Sequence, residues 1–340
     1  PPRMRTSVVI SVLDQAWLSA ANLLLGVFLI KNSSKEEYGS YVLGYAIILF
    51  LVGVQNALVS TQMAVLAPGR SASEQARFCS GLAIGQFLIF IPAVLIIALV
   101  GLVLNWNGAA NGSGLAYAIA ISLLGVILRE FFRSYFFLRL RPAAVLFLDI
   151  VFVALLFGGL WAAVQMKFAS INIAALVVLG FASMIVGLAS VFMARDELSV
   201  KLADIPPALK ETWQQGRWAL GGVTVTWLQD QSYIYLLSAM VSTAETAEAS
   251  AARLFLAPLT LLSVGFSRVL MPRWAYMAHE GKHQELIDMA NRVKWILVSM
   301  VVGYVAVLLL LKDWLTPLLL TKDYTQTGSL IVFWGVLFAI

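Results

Sequence analysis

The chain has 340 residues, 61% of them hydrophobic and 12% charged, with a net charge of +5. Soluble domains carry about one quarter charged residues, so this composition excludes a water-soluble globular fold and predicts an all-α polytopic membrane protein; barrel strands would be short, alternating and turn-rich. The single cysteine, Cys79, excludes an internal disulfide and argues against a thiolate metal cluster.

Apolar runs able to cross a ~30 Å hydrocarbon core recur along the chain. They predict nine spans, at 7–30, 40–66, 79–104, 115–138, 143–164, 171–194, 217–241, 251–271 and 293–311, and the start of a tenth at 328. The N-terminal PPRMRTSVVISVLDQAW is basic but has no small-residue cleavage site, so the first run is expected to stay as a helix. A start at Pro1 without Met, and an apolar run reaching Ile340, are expected of a piece of a longer protein. With the N-terminus in the cytoplasm, 17 of the 23 Lys and Arg fall on the cytoplasmic face, the asymmetry of the positive-inside rule. The basic excess is thus a topology signal, and no nucleic-acid partner is expected.

In helix one, Ser11, Gln15, Ser19, Asn22 and Gly26 share one face at steps of three and four, flanked by Asp14. Small and polar residues often mediate packing between membrane helices, the reading for Ser11, Ser19 and Gly26. An intramembrane carboxylate faces a cavity or a partner, which makes Asp14 a functional candidate as much as a packing one. Gln55, Asn56 and Gln62 of helix two are assigned to packing, and Pro92 and Pro258 are expected to kink helices three and eight.

Helix four carries LREFFRSYFF at 128–137, with Arg129, Glu130 and Arg133 inside an apolar run. The arginines are four apart and point the same way, and Glu130 can pair with Arg133 at i, i+3. Arg133 can snorkel to the surface, but Arg129 lies deeper, and facing lipid would cost it about 2.5–3.5 kcal/mol. A hydrated interior is therefore expected. Two guanidiniums on one face suit a diphosphate; the structural alternative is a salt bridge to Asp14, Asp149 or Asp230. In helix seven, Thr226, Gln229, Asp230 and Tyr233 share a face, with Asp230 near the midplane. Arg253, near the outer end of helix eight, is a weaker candidate.

The longest soluble connection, 195–216, divides an N-terminal six-helix bundle over 1–194 from an incomplete C-terminal bundle over 217–340. A second connection, 272–292, is expected to form a surface helix, and its His279 and His283 are read as solvated rather than as metal ligands. The halves look alike: Asp14-Gln15 and Asp230-Gln231 lie inside the first helix of each, and a short acidic loop follows each of those helices. Repeated halves are typical of transporters, with substrate at the repeat interface.

The stretch LDQAWLSAANLLLGVFLIKNSSKEEYGSYVLGYAIILFLVGVQNALVSTQMAV at 13–65 resembles the first two helices of bacterial Wzx-type polysaccharide flippases, members of the multidrug/oligosaccharidyl-lipid/polysaccharide (MOP) superfamily. LREFFRSYFFLRLRPAAVLFLD at 128–149 is similar to their fourth and fifth helices, and EASAARLFLAPLTLLSVGFSRVLMP at 248–272 to their eighth. The resemblance implies a MATE-like two-bundle transporter that flips an undecaprenyl-diphosphate-linked oligosaccharide across the bacterial inner membrane by alternating access. It implies substrate contacts at Arg129, Arg133, Gln15, Asn22 and Gln229, and coupling of H+ or Na+ at Asp14, Asp230 or Glu130, with no other cofactor. Membrane lipids, a polysaccharide polymerase and a chain-length regulator are the implied partners. The rivals are a drug/cation antiporter of the same superfamily, which would want acidic rather than paired basic residues, and a membrane polymerase or ligase. Outer loops of at most about 16 residues, with no His, acid and nucleophile together, count against an enzyme.

Overall fold

Three helix starts are written as Ser-x-x-Glu. The Ser34 and Ser71 hydroxyls accept from the backbone N–H of Glu37 (3.2 Å) and Glu74 (3.4 Å), and each glutamate accepts from its serine's N–H in return. Ser242 accepts from the Glu245 N–H at 3.1 Å. Such caps satisfy donors that the first turn leaves orphaned. The computed structural model describes residues 2–199, 201–259, 283–320, 324 and 326–339.

The helices are α1 (Pro2–Asn32), α2 (Lys35–Gln55), α3 (Thr61–Leu66), α4 (Ala72–Trp106), α5 (Ala110–Leu138), α6 (Pro142–Gln165), α7 (Ile171–Ala194), α8 (Ile205–Met240), α9 (Thr243–Leu254), α10 (His283–Leu319) and α11 (Thr327–Ala339). Among the described residues seven helical units are long and apolar enough to cross a membrane: α1, α2 with α3, α4, α5, α6, α7 and α10. The protein is an all-α polytopic membrane protein.

The departures from expectation have local causes. The connection after α7 is shorter than 195–216, because Pro206 and Pro207 sit in the first turn of α8, where a missing N–H costs nothing. α8 is long enough to span but too polar to count among the seven. α9 ends at Leu254, and Phe255 and Leu256 form a turn before Pro258, which has no N–H to return to the Leu254 carbonyl. Residues 260–271 of the eighth expected span, and His279, Arg268 and Arg273, lie outside the described residues. From His283 onward the expected surface helix is instead the beginning of α10, continuous to Leu319. Pro92 lies within α4, whose helix runs on through it.

α2 passes into α3 through a π-helical turn, Asn56–Ser60. The Gln62 amide donates to the Ala57 carbonyl inside that turn (3.1 Å), and buried Gln55 donates to Gln86 (2.8 Å) and to the Ile127 carbonyl (2.7 Å). Both glutamines therefore pack, as expected; Asn56 is exposed.

α5 is the most buried span and lies along α7. The Ser122 hydroxyl is 2.6 Å from the Ala118 carbonyl and 2.5 Å from Leu176 O on α7. A Cβ at Gly125 would collide with the Gly180 carbonyl, and one at Gly180 would come within 2.5 Å of Ser122 Cα. Small residues are what let membrane helices approach this closely. The Glu-Tyr-Gly of 37–39 has a comparable logic. The Glu37 carboxylate also accepts from the Ile171 N–H at the start of α7 (3.2 Å), and Gly39 abuts the Thr243 carbonyl.

Gly125→Val is expected to lower stability by at least the 1–3 kcal/mol typical of overpacking, read as thermal unfolding in detergent. Gly158→Val, at a position with nothing within 4 Å of an added Cβ, is expected to leave the transition in place.

Candidate functional site

α5 places Arg129 and Arg133 one turn apart, α6 brings Asp149 to them, and α1 brings Asp14. Asp149 uses both oxygens: Oδ1 lies 2.5 Å from Arg129 Nη2 and Oδ2 2.7 Å from Arg133 Nε. Asp14 Oδ2 takes Arg133 Nη2 at 2.6 Å, and Glu130 meets Arg129 at 3.0 Å and Arg133 at 3.7 Å. The Phe152 ring, one turn beyond Asp149, carries the Arg129 guanidinium 3.7 Å from its centroid, a cation–π contact. Gln15 reaches Asp14 at 3.4 Å.

Three carboxylates thus face two guanidiniums in a site where Asp14 and Asp149 are 0% and 1% exposed. Among the described residues Asp14 Oδ1 and Arg129 Nε have no hydrogen-bond partner. The space beside the arginines, bounded by Val186 and Ser190 of α7, is about 10 Å³, room for roughly one water. An arriving diphosphate would have to displace Asp149.

A cleft opens elsewhere. One lobe, about 340 Å³, is lined by Asn22 of α1, Tyr38, Tyr41 and Tyr45 of α2, Gln231 of α8 and Arg253 of α9. A second, about 540 Å³, lies between α2 and α8 beside Gly53, Gly222, Thr226, Trp227 and Asp230. Leu49 and Gln231 border both. Arg253 Nη1 donates to the Asp230 carbonyl oxygen at 2.8 Å, and Nη2 lies 3.5 Å from Asp230 Oδ1. Its guanidinium stands 5.3 Å from the Trp334 ring centroid and 5.7 Å from that of Tyr233. Half-exposed Asp230 and part-exposed Arg253 therefore form an accessible pair, unlike the buried cluster.

The sequence candidates divide accordingly. Asp14, Gln15, Arg129, Glu130 and Arg133 come together, joined by Asp149. Asn22 and Asp230 line the cleft, while Gln229 is exposed and borders neither lobe. Asp14 and Asp230, matched by position in the two halves, have opposite surroundings. Arg253 and the three tyrosines were underrated. Tyr38, Tyr41 and Tyr45 at i, i+3 and i+7 did carry a signal, a polar stripe on one face of α2. Among the described residues no three His, Cys, Asp or Glu gather as a metal site.

Truncating one member of a buried ion-pair network costs about 3–5 kcal/mol, because the partner is left charged and unpaired. Asp149→Asn is therefore expected to lower thermal stability in detergent by that order. Arg129→Met with Asp149→Leu, which removes both charges, is expected to recover much of the loss.

No protein-family model matches this chain, and no curated protein matches it.

Proposed function

We propose that the protein is a transporter that flips an undecaprenyl-diphosphate-linked oligosaccharide across the bacterial inner membrane by alternating access. The observation that carries this reading is the two-lobed cleft between α1 and α2 of the first half and α8 and α9 of the second. Polar side chains at membrane depth face water or protein, and α8 turns Thr226, Asp230 and Gln231 into this cleft. A sugar head passes through such a space while the lipid tail stays in the bilayer. The excess of Lys and Arg on one face supports a cytoplasmic N-terminus.

Among the described residues Arg253 is the basic residue lining the cleft, and it meets the diphosphate. Arg129 and Arg133 are first of all the clamp that joins α1, α5 and α6, and reach a phosphate only where Asp149 gives way. Asp14, Glu130 and Asp230 remain the acidic groups at which H+ or Na+ would couple. A polymerase and a chain-length regulator would work beside the transporter. One observation favours a second reading, a cation antiporter: Asp230 lies in a cleft with aromatic walls, which suits an organic cation.

The test uses proteoliposomes loaded with the lipid-linked oligosaccharide and follows the glycan that becomes accessible to an external glycosidase. Wild type is expected to transport, and Arg253→Gln to lose tenfold or more with its unfolding transition intact. Arg129→Gln is expected to lose stability and transport together. Wild-type rates in Arg253→Gln would remove that arginine from the mechanism. Efflux of an organic cation with no glycan movement would favour the antiporter.

A further inference from the structure

The cleft contains polar groups that the protein itself leaves idle. Tyr135, Tyr233, Tyr235 and Tyr304 each set their hydroxyl within hydrogen-bonding reach of a protein partner: Glu197, Ser250, the Leu43 carbonyl and the Phe255 carbonyl. Tyr38, Tyr41 and Tyr45 make no such bond among the described residues, yet all three line the 340 Å³ lobe. Their hydroxyls are open to the lobe rather than bonded to the protein, and phenylalanine would fill the same ring volume without offering a donor or acceptor there.

The three sit on one face of α2. With about 1.5 Å rise per residue, they follow one another at steps of ~4.5 Å and ~6 Å along the helix axis, comparable with the length of one hexose ring. Their orientation is set in advance. Tyr38 and Tyr41 are 3% and 5% exposed, and the Tyr41 and Tyr45 rings stack at 5.6 Å with planes 10° apart. Asn22 and Gln231 face them from α1 and α8. These five side chains are uncharged and able both to donate and to accept, beside Arg253 of the same lobe.

We infer that the tyrosine ladder Tyr38–Tyr41–Tyr45 is a subsite for a short run of neutral sugars, each hydroxyl bonding a sugar hydroxyl. The inference rests on the flippase reading and adds to it the chemistry of the head group. An organic cation would be drawn to Asp230 in the other lobe, and an apolar ligand would have no use for three hydroxyls. Sugar hydroxyls are donors and acceptors at once, as phenolic ones are, and a preorganised array binds them without further ordering cost.

The test measures binding of two radiolabelled probes to the full chain in nanodiscs: undecaprenyl diphosphate bearing a glucose trisaccharide, and bare undecaprenyl diphosphate. Wild type is expected to prefer the glycan-bearing probe. Tyr41→Phe with Tyr45→Phe keeps both rings and is expected to lower that affinity about tenfold, a typical loss for one or two hydrogen bonds, while the bare lipid binds as before. Tyr235→Phe, which removes a hydroxyl bonded to the protein, is expected to lower thermal stability and leave the preference unchanged. Equal binding of the two probes by wild type, or an unchanged preference in the double variant, would overturn the ladder and leave the lipid-diphosphate reading standing. If wild type binds neither probe, the flippase reading falls and the ladder with it; binding of tetraphenylphosphonium would then mark the cleft as a cation site.

Discussion

Asp149 holds two arginines at once, and the arrangement of the first half depends on it. Its two oxygens face guanidiniums from successive turns of α5, one of which also reaches across to Asp14 on α1. In a medium of low dielectric, charges a few ångströms apart interact far more strongly than in water, and none of the partners can leave without stranding another. Three helices that could slide or rotate along apolar surfaces, where hydrocarbon contacts discriminate poorly between registers, are set relative to one another by these bonds. The close approach of α5 to α7 through Ser122, Gly125 and Gly180 then adds a fourth helix to the same body.

The second half meets this body along α4, where Gly81 and Gly85 take Ala208 and Leu209 of α8, and on either side of the cleft along α2. Where α2 begins, Lys35 lies 3.0 Å from nearly buried Glu248 of α9, whose other oxygen accepts from the Gln326 N–H, and Gly39 abuts Thr243. Beyond α3, Arg70 pairs with Glu211 of α8 at 2.5 Å, and Gly216 packs on the π-helical turn. Between them the halves touch lightly, through the Trp227 indole on the Ala46 carbonyl and Tyr235 on that of Leu43. The pair at Arg70 is partly exposed and of the kind that contributes little; the one at Lys35 is far more enclosed.

The spans were legible because hydrocarbon thickness is a strong constraint on composition. α4 to α7 begin or end within a few residues of the apolar runs that announced them. The membership of the charge cluster was legible in part, since Arg129, Glu130, Arg133 and Asp14 are each costly in an apolar run. Asp149 stood equally plain in VLFLDIVFVAL at 145–155, but choosing it over Asp230 as partner requires knowing which helices are neighbours and how each is rotated about its axis. That information lies in pairwise packing, not in any one span. The same gap hid Arg253, whose importance comes from Asp230, Tyr233 and Trp334 converging on it from α8 and α11. The π-helical turn left no mark in the apolar pattern at all, and the similarity of Asp14-Gln15 to Asp230-Gln231 said nothing of how differently the two aspartates are surrounded.

The polarity of α8 has a bearing on how the chain is made. A segment with Thr224, Thr226, Gln229, Asp230 and Gln231 in its middle is a poor substrate for partitioning from a translocation channel into lipid, where an aspartate near the centre of a span adds about 2.5–3.5 kcal/mol. Several of its neighbours, however, precede it in the chain. By the time α8 is synthesised, α2 and α4 are in the bilayer and present the carbonyls and glycine surfaces on which it docks. An order of assembly follows: α8 finds the surface on which it docks only once the first half is in place, and a first half that has failed to assemble leaves it without one.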